Sequence, residues 1–286
     1  MVDAGSFTAA ADRLDMSRAM ASKYVAALEE HLGTRLLHRT TRKLTLTESG
    51  AAYYERCAQI LTDIEDAEAD ALKSNAAPRG LLRMTIPLSF GLMHMGPVLA
   101  AYMYQYPEVK VDLVLTDRRR DLIEEGLDLA IRIGALPESG LIARKLASDR
   151  LVVCAAPDYL KRRGEPRTPA ELAHHHCLLY AYDTTRQEWK FDGPDGTHSV
   201  RVTGRLRANN GDVVRLAGLA AAGVMRQPSF LVGEDLRAGR LVEVLSDYRS
   251  EELGIYIVYA SRKHLPPKVR SFVDFAAQAF AMKKEW

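Results

Sequence analysis

The sequence predicts an α/β chain in three parts: a winged helix-turn-helix, one long linker helix, and a larger two-lobed domain of alternating strands and helices. Three observations carry that prediction. Residues 5–32 hold two short amphipathic helix patterns split by a tight break. Residues 48–74 sustain a single apolar stripe through an acid-rich run. Beyond Pro78, apolar strand-like runs alternate with helix-like ones, as in a largely parallel sheet covered by helices.

Ser6 and Ser17 are suited to be helix N-caps, because a serine hydroxyl accepts a bond from an otherwise unpaired N–H of the first turn. Phe7, Ala10, Ala11 and Leu14 then fall at i, i+3, i+4 and i+7, one apolar face. After the break at Asp15-Met16, Ala21, Val25 and Leu28 face inward while Arg18, Ser22 and Lys23 face out. Two such helices, the second polar near its N-terminus, suit the major groove of DNA. Gly33 is a good left-handed terminator. The β-branched alternation of Leu36–Thr47 around a basic tip reads as a hairpin, the wing. Seven basic residues against three acidic ones between Arg13 and Lys43 suit contact with phosphates.

Thr47 is placed to cap a helix from Glu48 to about Ser74, whose stripe is Ala51, Tyr54, Ala58, Leu61, Ile64, Ala67, Ala71 and Leu72. One seam on so long a helix predicts a partner helix, hence a dimer; packing along its own domain is the alternative. Residues 76–80, Ala-Ala-Pro-Arg-Gly, read as a linker. A βαβαβ unit follows: strand Leu82–Leu88, helix Phe90–Tyr106, strand Val109–Leu115, helix Arg119–Glu125 and strand Asp128–Ile133. Leu151–Ala155 reads as a strand leading away, followed by a strand at Val200–Leu206 and helices at Asp212–Ala222 and Val232–Ala238. The apolar strand Leu253–Ala260 and helix Lys268–Met282 are free to return to the first lobe, giving two crossovers. The expected division is residues 1–47, 48–79 and 80–286, with lobe I at 80–152 and 253–286 and lobe II at 153–252.

Composition narrows the function classes. At 47% hydrophobic and 27% charged with a net charge of +2, the chain is an ordinary globular one. Three dispersed cysteines, Cys57, Cys154 and Cys177, argue against a disulfide framework and for a reducing compartment. The chain shows neither a signal peptide nor an apolar run of the ~18–20 residues a membrane helix needs, so the expected location is the cytoplasm, with no membrane partner. It carries no HExxH, GxSxG or GxGxxG pattern, so nothing supports an enzyme, and no cofactor is expected. His174-His175-His176-Cys177 invites a metal reading, but zinc sites use spaced pairs rather than a contiguous run. No metal site is expected there. Tyr182 and Trp189 are aromatic candidates for a cleft, although core packing explains them equally.

The run Gly5-Ser6-Phe7, Ala10-Ala11, Leu14, Ser17, Ser22-Lys23, Leu28-Glu29, Leu32-Gly33, Leu36-Leu37, Arg39, Leu46-Thr47 and Gly50 resembles the LysR-type transcriptional regulators. Residues 80–83, Tyr106-Pro107-Glu108-Val109, Asp128–Gly134 and Ala156–Leu160 resemble their effector domain, which has the two-lobed type-2 periplasmic-binding-protein fold. The resemblance implies a ligand-responsive, sequence-specific DNA-binding regulator, with a small-molecule effector between the lobes and a dimer or tetramer as the working unit. The alternative is a sensor or solute-binding protein of the same effector fold that does not bind DNA. Four residues precede Gly5 where the family has a full helix, about a dozen residues longer. The expectation is that this form binds DNA poorly unless upstream residues are restored.

The resemblance puts the second helix in the major groove. The expected DNA contacts are Arg18, Lys23 and Tyr24, with Ser17 and Ser22 reaching phosphates or bases, Arg42 at the wing tip, and Arg39 and Lys43 on the backbone. Arg18 stands where the family often has glutamine, which changes the expected base preference. The effector pocket is expected at strand ends: Pro87, Leu88, Ser89, Phe90, Thr116, Arg132, Asn209, Asn210, Gln227 and Pro228. The Pro87–Phe90 helix start, with its free N–H groups and the Ser89 hydroxyl, suits a carboxylate or other anion. Met225-Arg226-Gln227 stands where the family is commonly apolar, so a more polar pocket wall is expected.

Overall fold

A computed structural model of the chain describes residues 1–39, 44–71, 77–182, 187–260 and 265–281. They fall into two compact units, Met1–Ser74 and Asn75–Trp286.

In the first unit, α1 (Phe7–Arg13) and α2 (Arg18–Leu32) start as their caps dictate. The Ser6 hydroxyl accepts from the Ala9 N–H and the Ser17 hydroxyl from the Met20 N–H, each at 3.1 Å. Asp15 takes the left-handed backbone at the break, where a short polar side chain is tolerated, and Gly33 does so at the end of α2. Ala10, Ala11 and Ala21 are buried where the helices meet. Leu14, expected on the buried face, is 58% exposed, because α1 ends at Arg13 and Leu14 has left the helical turn. β1 (Leu37–Arg39) and β2 (Leu44–Leu46) pair antiparallel, Leu37 opposite Leu46. The wing tip, with Arg42 and Lys43, lies outside the described residues. Glu29 of α2 holds the entry to the hairpin, one carboxylate oxygen accepting the Leu36 and Leu37 N–H groups at 2.9 and 3.1 Å. α3 spans Glu48–Ala71.

The second unit is built on a mixed nine-stranded sheet. β3 (Gly80–Ile86), β4 (Val109–Leu115) and β5 (Leu129–Ile133) run parallel in the order β4-β3-β5. Between β3 and β4 lie α4 (Leu88–Phe90), a π-helical stretch at Gly91–Met95, and α5 (Gly96–Gln105). Residues 119–125, expected to be helical, form a turn instead. The Asp121 carboxylate accepts the Ile123 and Glu124 N–H groups at 2.8 and 3.1 Å, and a side chain that captures local N–H groups competes with the helix.

A second difference is larger. Leu141–Ala155 is one continuous strand, β6, of which the sequence suggests just the last third. Residues 141–150 pair antiparallel with β13 (Glu252–Ala260), which in turn pairs with β5. Residues 151–155 pair instead with β11 (Val224–Pro228) and β12 (Val242–Glu243). β11 runs parallel to β7 (Cys177–Tyr180), and β7 to β10 (Leu206–Ala208). β6 thus carries the chain from one group of strands to the other, and the segment entering β13 returns it.

The remaining elements complete these groups. α6 (Pro157–Arg163) and a 3₁₀ turn at Pro169–His174 precede β7. The strand expected at Val200–Leu206 resolves into a β8 (Glu188–Gly193)–β9 (Gly196–Arg201) hairpin and the separate β10. α7 (Gly211–Leu219), α8 (Ser229–Arg237) and α9 (Pro267–Ala281) follow. The main core joins Leu82, Met84 and Ile86 of β3 to Phe272 and Phe280 of α9 and to Met225 and Phe230. A second core gathers Tyr159, Leu172, Trp189 and Phe191. No described helix is long and apolar enough to cross a membrane.

Candidate functional site

In the first unit the second helix presents the expected polar side chains near its start. Arg18, Lys23 and Tyr24 are exposed and Ser22 is partly exposed. The Ser17 hydroxyl is engaged as the cap. Arg39 lies in β1 opposite Leu44.

The second unit brings together the loops that follow β3, β4, β10 and β11. Pro87 precedes the helical turn at Leu88. The Leu88 N–H donates to Asp117 Oδ1 at 3.0 Å, and the Ser89 hydroxyl donates to Asp212 Oδ2 at 2.6 Å. Asn210 caps α7, its Oδ1 accepting the Val213 N–H at 3.1 Å while its Nδ2 donates to Asp117 Oδ2 at 3.3 Å. Gln227, at the end of β11, is 2% exposed, and its Nε2 has no hydrogen-bond partner. Gly211 is needed at the centre of this cluster. A Cβ there would lie 3.4 Å from both Gln227 Oε1 and Ser89 Oγ, and 2.9 Å from a Leu231 methyl. Ser89, Asn210, Gln227, Asp117 and Asp212 therefore surround one small region.

An aromatic group adjoins Ser89 and Ser229 in the chain. Phe90 packs edge-on to Phe230 at 5.4 Å and beside Phe280 at 5.6 Å, and His94 Nε2 lies 3.1 Å from the Phe230 carbonyl. The π-helical stretch Gly91–Met95 carries His94; such bulges recur where a helix is bent to serve a site.

The other expected residues are placed differently. The Thr116 hydroxyl accepts the Arg118 N–H at 3.2 Å. Arg132 Nη2 donates to the Arg120 carbonyl at 3.0 Å, so its guanidinium braces the 117–126 loop. Burial, then neighbouring Arg119, lower its pKa, against the opposing pull of Asp121. Asn209 is exposed, and Pro228 is the residue before α8. Trp189 is buried in the second core beneath Arg226, whose guanidinium carbon sits 5.0 Å from the ring centre. Tyr182 stacks edge-on to Tyr180 at 5.9 Å. In the histidine run, the Tyr159 hydroxyl meets His175 Nδ1 and accepts the His176 N–H. No His, Cys, Asp or Glu group among the described residues is arranged for a metal.

Two site residues were missed by sequence reasoning, the carboxylates Asp117 and Asp212. Burial pushes Asp117 above the usual carboxylate range; the bonds from Leu88 and Asn210 oppose that, and the Asp212 charge reinforces it. Tyr180 is raised by burial first and then by the Asp117 charge. The signal in the sequence was an aspartate two residues past a strand end and another in the first turn of a helix. A third carboxylate, Asp149 of β6, caps α8 by accepting from the Ser229 hydroxyl and, at 3.3 Å, from the Phe230 N–H.

Comparison with known proteins agrees with this architecture. Residues 1–51 match the bacterial regulatory helix-turn-helix family of lysR type, and residues 75–281 match the LysR substrate binding domain. An uncharacterized HTH-type transcriptional regulator of Haemophilus influenzae is 37% identical over 269 residues, 94% of this chain and 93% of the relative. The regulator CrgA of Neisseria meningitidis is 34% identical over 97% of this chain and 93% of its own. The solved structure of CrgA superposes with a TM-score of 0.65 at 34% identity, over 98% of this chain and 95% of that one. The full-length Vibrio cholerae virulence activator AphB gives 0.65 at 32% identity, over 97% and 95%. The chain belongs to the LysR family and is a ligand-responsive, DNA-binding transcriptional regulator with an effector-binding domain.

Proposed function

We propose that α2 is the reading helix, with Arg18, Ser22, Lys23 and Tyr24 toward the major groove, Ser17 capping beside the phosphates, and Arg39, Arg42 and Lys43 of the wing on the backbone. The observation that carries this reading is the exposed basic face at the start of a serine-capped helix that follows a tight break. Arg18 is expected to read a base and Lys23 a phosphate or base. Arg18→Ala should weaken specific binding by about 1–3 kcal/mol. Arg42→Ala should lower affinity across sequences and reduce the salt slope by about one. Titration of operator DNA at several salt concentrations checks both, and an unchanged slope removes Arg42 from the interface.

The working unit is a homodimer, or a tetramer built from it, joined through α3 in residues 48–79. Leu61 is 61% and Ile64 49% exposed, one turn apart on the predicted seam, and an unpartnered apolar stripe on a long helix is satisfied by a second helix. Leu61→Glu with Ile64→Glu should shift the sedimenting species toward monomer and cost operator affinity. Retention of the full oligomer would refute the seam.

The effector binds within residues 80–286, in the cleft around Ser89, Asn210 and Gln227, between a lobe of residues 80–152 and 253–286 and a lobe of 153–252. The remaining expected lining, Pro87, Leu88, Phe90, Thr116, Arg132, Asn209 and Pro228, positions or surrounds it. Its binding biases two arrangements of the lobes and so of the paired DNA heads, in the cytoplasm where the DNA lies.

A further inference from the structure

The helix start expected to receive an anion is already occupied by the chain's own acids. Asp117 accepts the Leu88 N–H and the Asn210 amide, and Asp212 accepts the Ser89 hydroxyl. Among the described residues, neither carboxylate has a basic side chain in ion-pair range. An incoming carboxylate would compete with both acids for the same donors and meet two like charges, one of them half-buried. Like charges in a poorly solvated site repel strongly, and the same arrangement favours a cation. Gln227 is a second, independent sign of a ligand. Its amide is buried against the Gly211–Ser89 side of the cluster, and its Nε2 donor has no partner. A buried donor left unmade is costly, so such a group marks a place where a ligand supplies the acceptor.

We propose that the effector presents a cationic amine to Asp117 and Asp212 and an oxygen acceptor to the Gln227 amide, as an amino acid or amino alcohol does. This rests on the cleft being the effector site, and it replaces a simple carboxylate with an amine-bearing molecule. Each carboxylate oxygen has a lone pair beyond the bond it already accepts, so the amine binds without displacing the Leu88, Asn210 or Ser89 donors. An amino acid's carboxylate turns to Gln227, away from the acids.

The test is calorimetric titration of the full chain with four matched sets: the twenty amino acids, the amino alcohols of the same skeletons, the corresponding deaminated acids, and the bare amines left by decarboxylation. At least one amine-bearing compound should bind, with its deaminated acid at least tenfold weaker. Asp117→Asn and the isosteric Asp212→Asn should each weaken that amine tenfold or more. Gln227→Leu should weaken the amino acid and amino alcohol but not the bare amine of the same skeleton. Thermal unfolding of each variant checks that it is folded, and Asp212→Asn, at a partly exposed position, serves if Asp117→Asn fails to fold. The proposal is overturned if a deaminated acid binds as well as its amine, if the aspartate variants leave amine binding unchanged, or if no member of the sets binds. Operator binding, measured separately on the same preparations, reports on the regulator reading. Intact DNA binding with failed amine binding defeats the amine assignment alone.

Discussion

Gly50→Ala is expected to destabilise the N-terminal unit by about 2–4 kcal/mol and to weaken operator binding with it. A Cβ at Gly50 would lie 1.9 Å from the Leu36 carbonyl oxygen and 2.7 Å from its carbon. Those atoms are backbone, held in place on three sides. The Leu36 N–H is bound by Glu29, its carbonyl accepts the Thr47 N–H at 3.0 Å, and the Thr47 hydroxyl donates to the Arg35 carbonyl at 2.7 Å while accepting from Gly50. The start of α3 must retreat by more than 1 Å, which breaks this cap. Overpacking in a well-ordered site costs about 1–3 kcal/mol and at times more, and loss of the cap adds about 1 kcal/mol. A unit of this size has roughly 5–10 kcal/mol to lose. Gly33→Ala is the control. Its Cβ would meet nothing within 4 Å, but the residue has a φ of +65°, so it should cost about 1–2 kcal/mol from backbone strain. Thermal unfolding and operator titration of both variants decide the matter. An operator affinity for Gly50→Ala equal to that of Gly33→Ala would show that the contact can relax.

The helices were legible wherever a cap and an apolar face coincided. Ser6, Ser17 and Asn210 each cap the helix that the sequence placed after them. β6 was legible just at its end. Leu151–Ala155 is buried and reads as a continuous apolar run, whereas Leu141–Arg150 is mostly exposed and interrupted by Arg144, Lys145, Asp149 and Arg150. That part is a strand because β13 pairs with it, and pairing between residues a hundred positions apart leaves no local period. The 119–125 helix failed for the opposite reason, a local capture by Asp121 stronger than the helical pattern. In the proposed cleft, residues at strand ends were easy to nominate, since open α/β sheets bind there. Their partners were not, because Asp117 and Asp212 gain meaning when two distant loops meet, as in Ser89 with Asp212. Arg132 shows the converse, a charged strand residue whose guanidinium braces its neighbouring loop.

Asp235→Ala is expected to destabilise the C-terminal unit by about 3 kcal/mol, at the lower end of what breaking a buried ion pair costs. Asp235 of α8 has a fully buried side chain. Arg215 Nε of α7 donates to its Oδ2 at 2.5 Å, and Arg240 Nε to its Oδ1 at 2.7 Å. Removing the carboxylate leaves the Arg215 side chain, 20% exposed, without its partner, while Arg240 at 54% regains water and softens the loss. The desolvation cost of the pair nearly offsets its attraction. Replacing both partners by apolar groups, as in Arg215→Met with Asp235→Leu, should therefore recover most of the stability that either single change removes. Denaturant unfolding followed by Trp189 fluorescence reads this directly, since Trp189 is buried in the same unit. A double variant as unstable as the sum of its singles would mean the pair holds the helices by geometry that packing cannot replace. The consequence reaches the cleft. α7 begins at Gly211, between Ser89 and Gln227, and α8 begins two residues after Gln227. The Arg215–Asp235 bond fixes these two helices behind the residues proposed to meet the ligand. Asp235→Ala should weaken ligand binding although Asp235 lines no part of the cleft, and the apolar pair should restore affinity together with stability. Restoration of stability without affinity would assign the charge itself a part in the cleft's electrostatics.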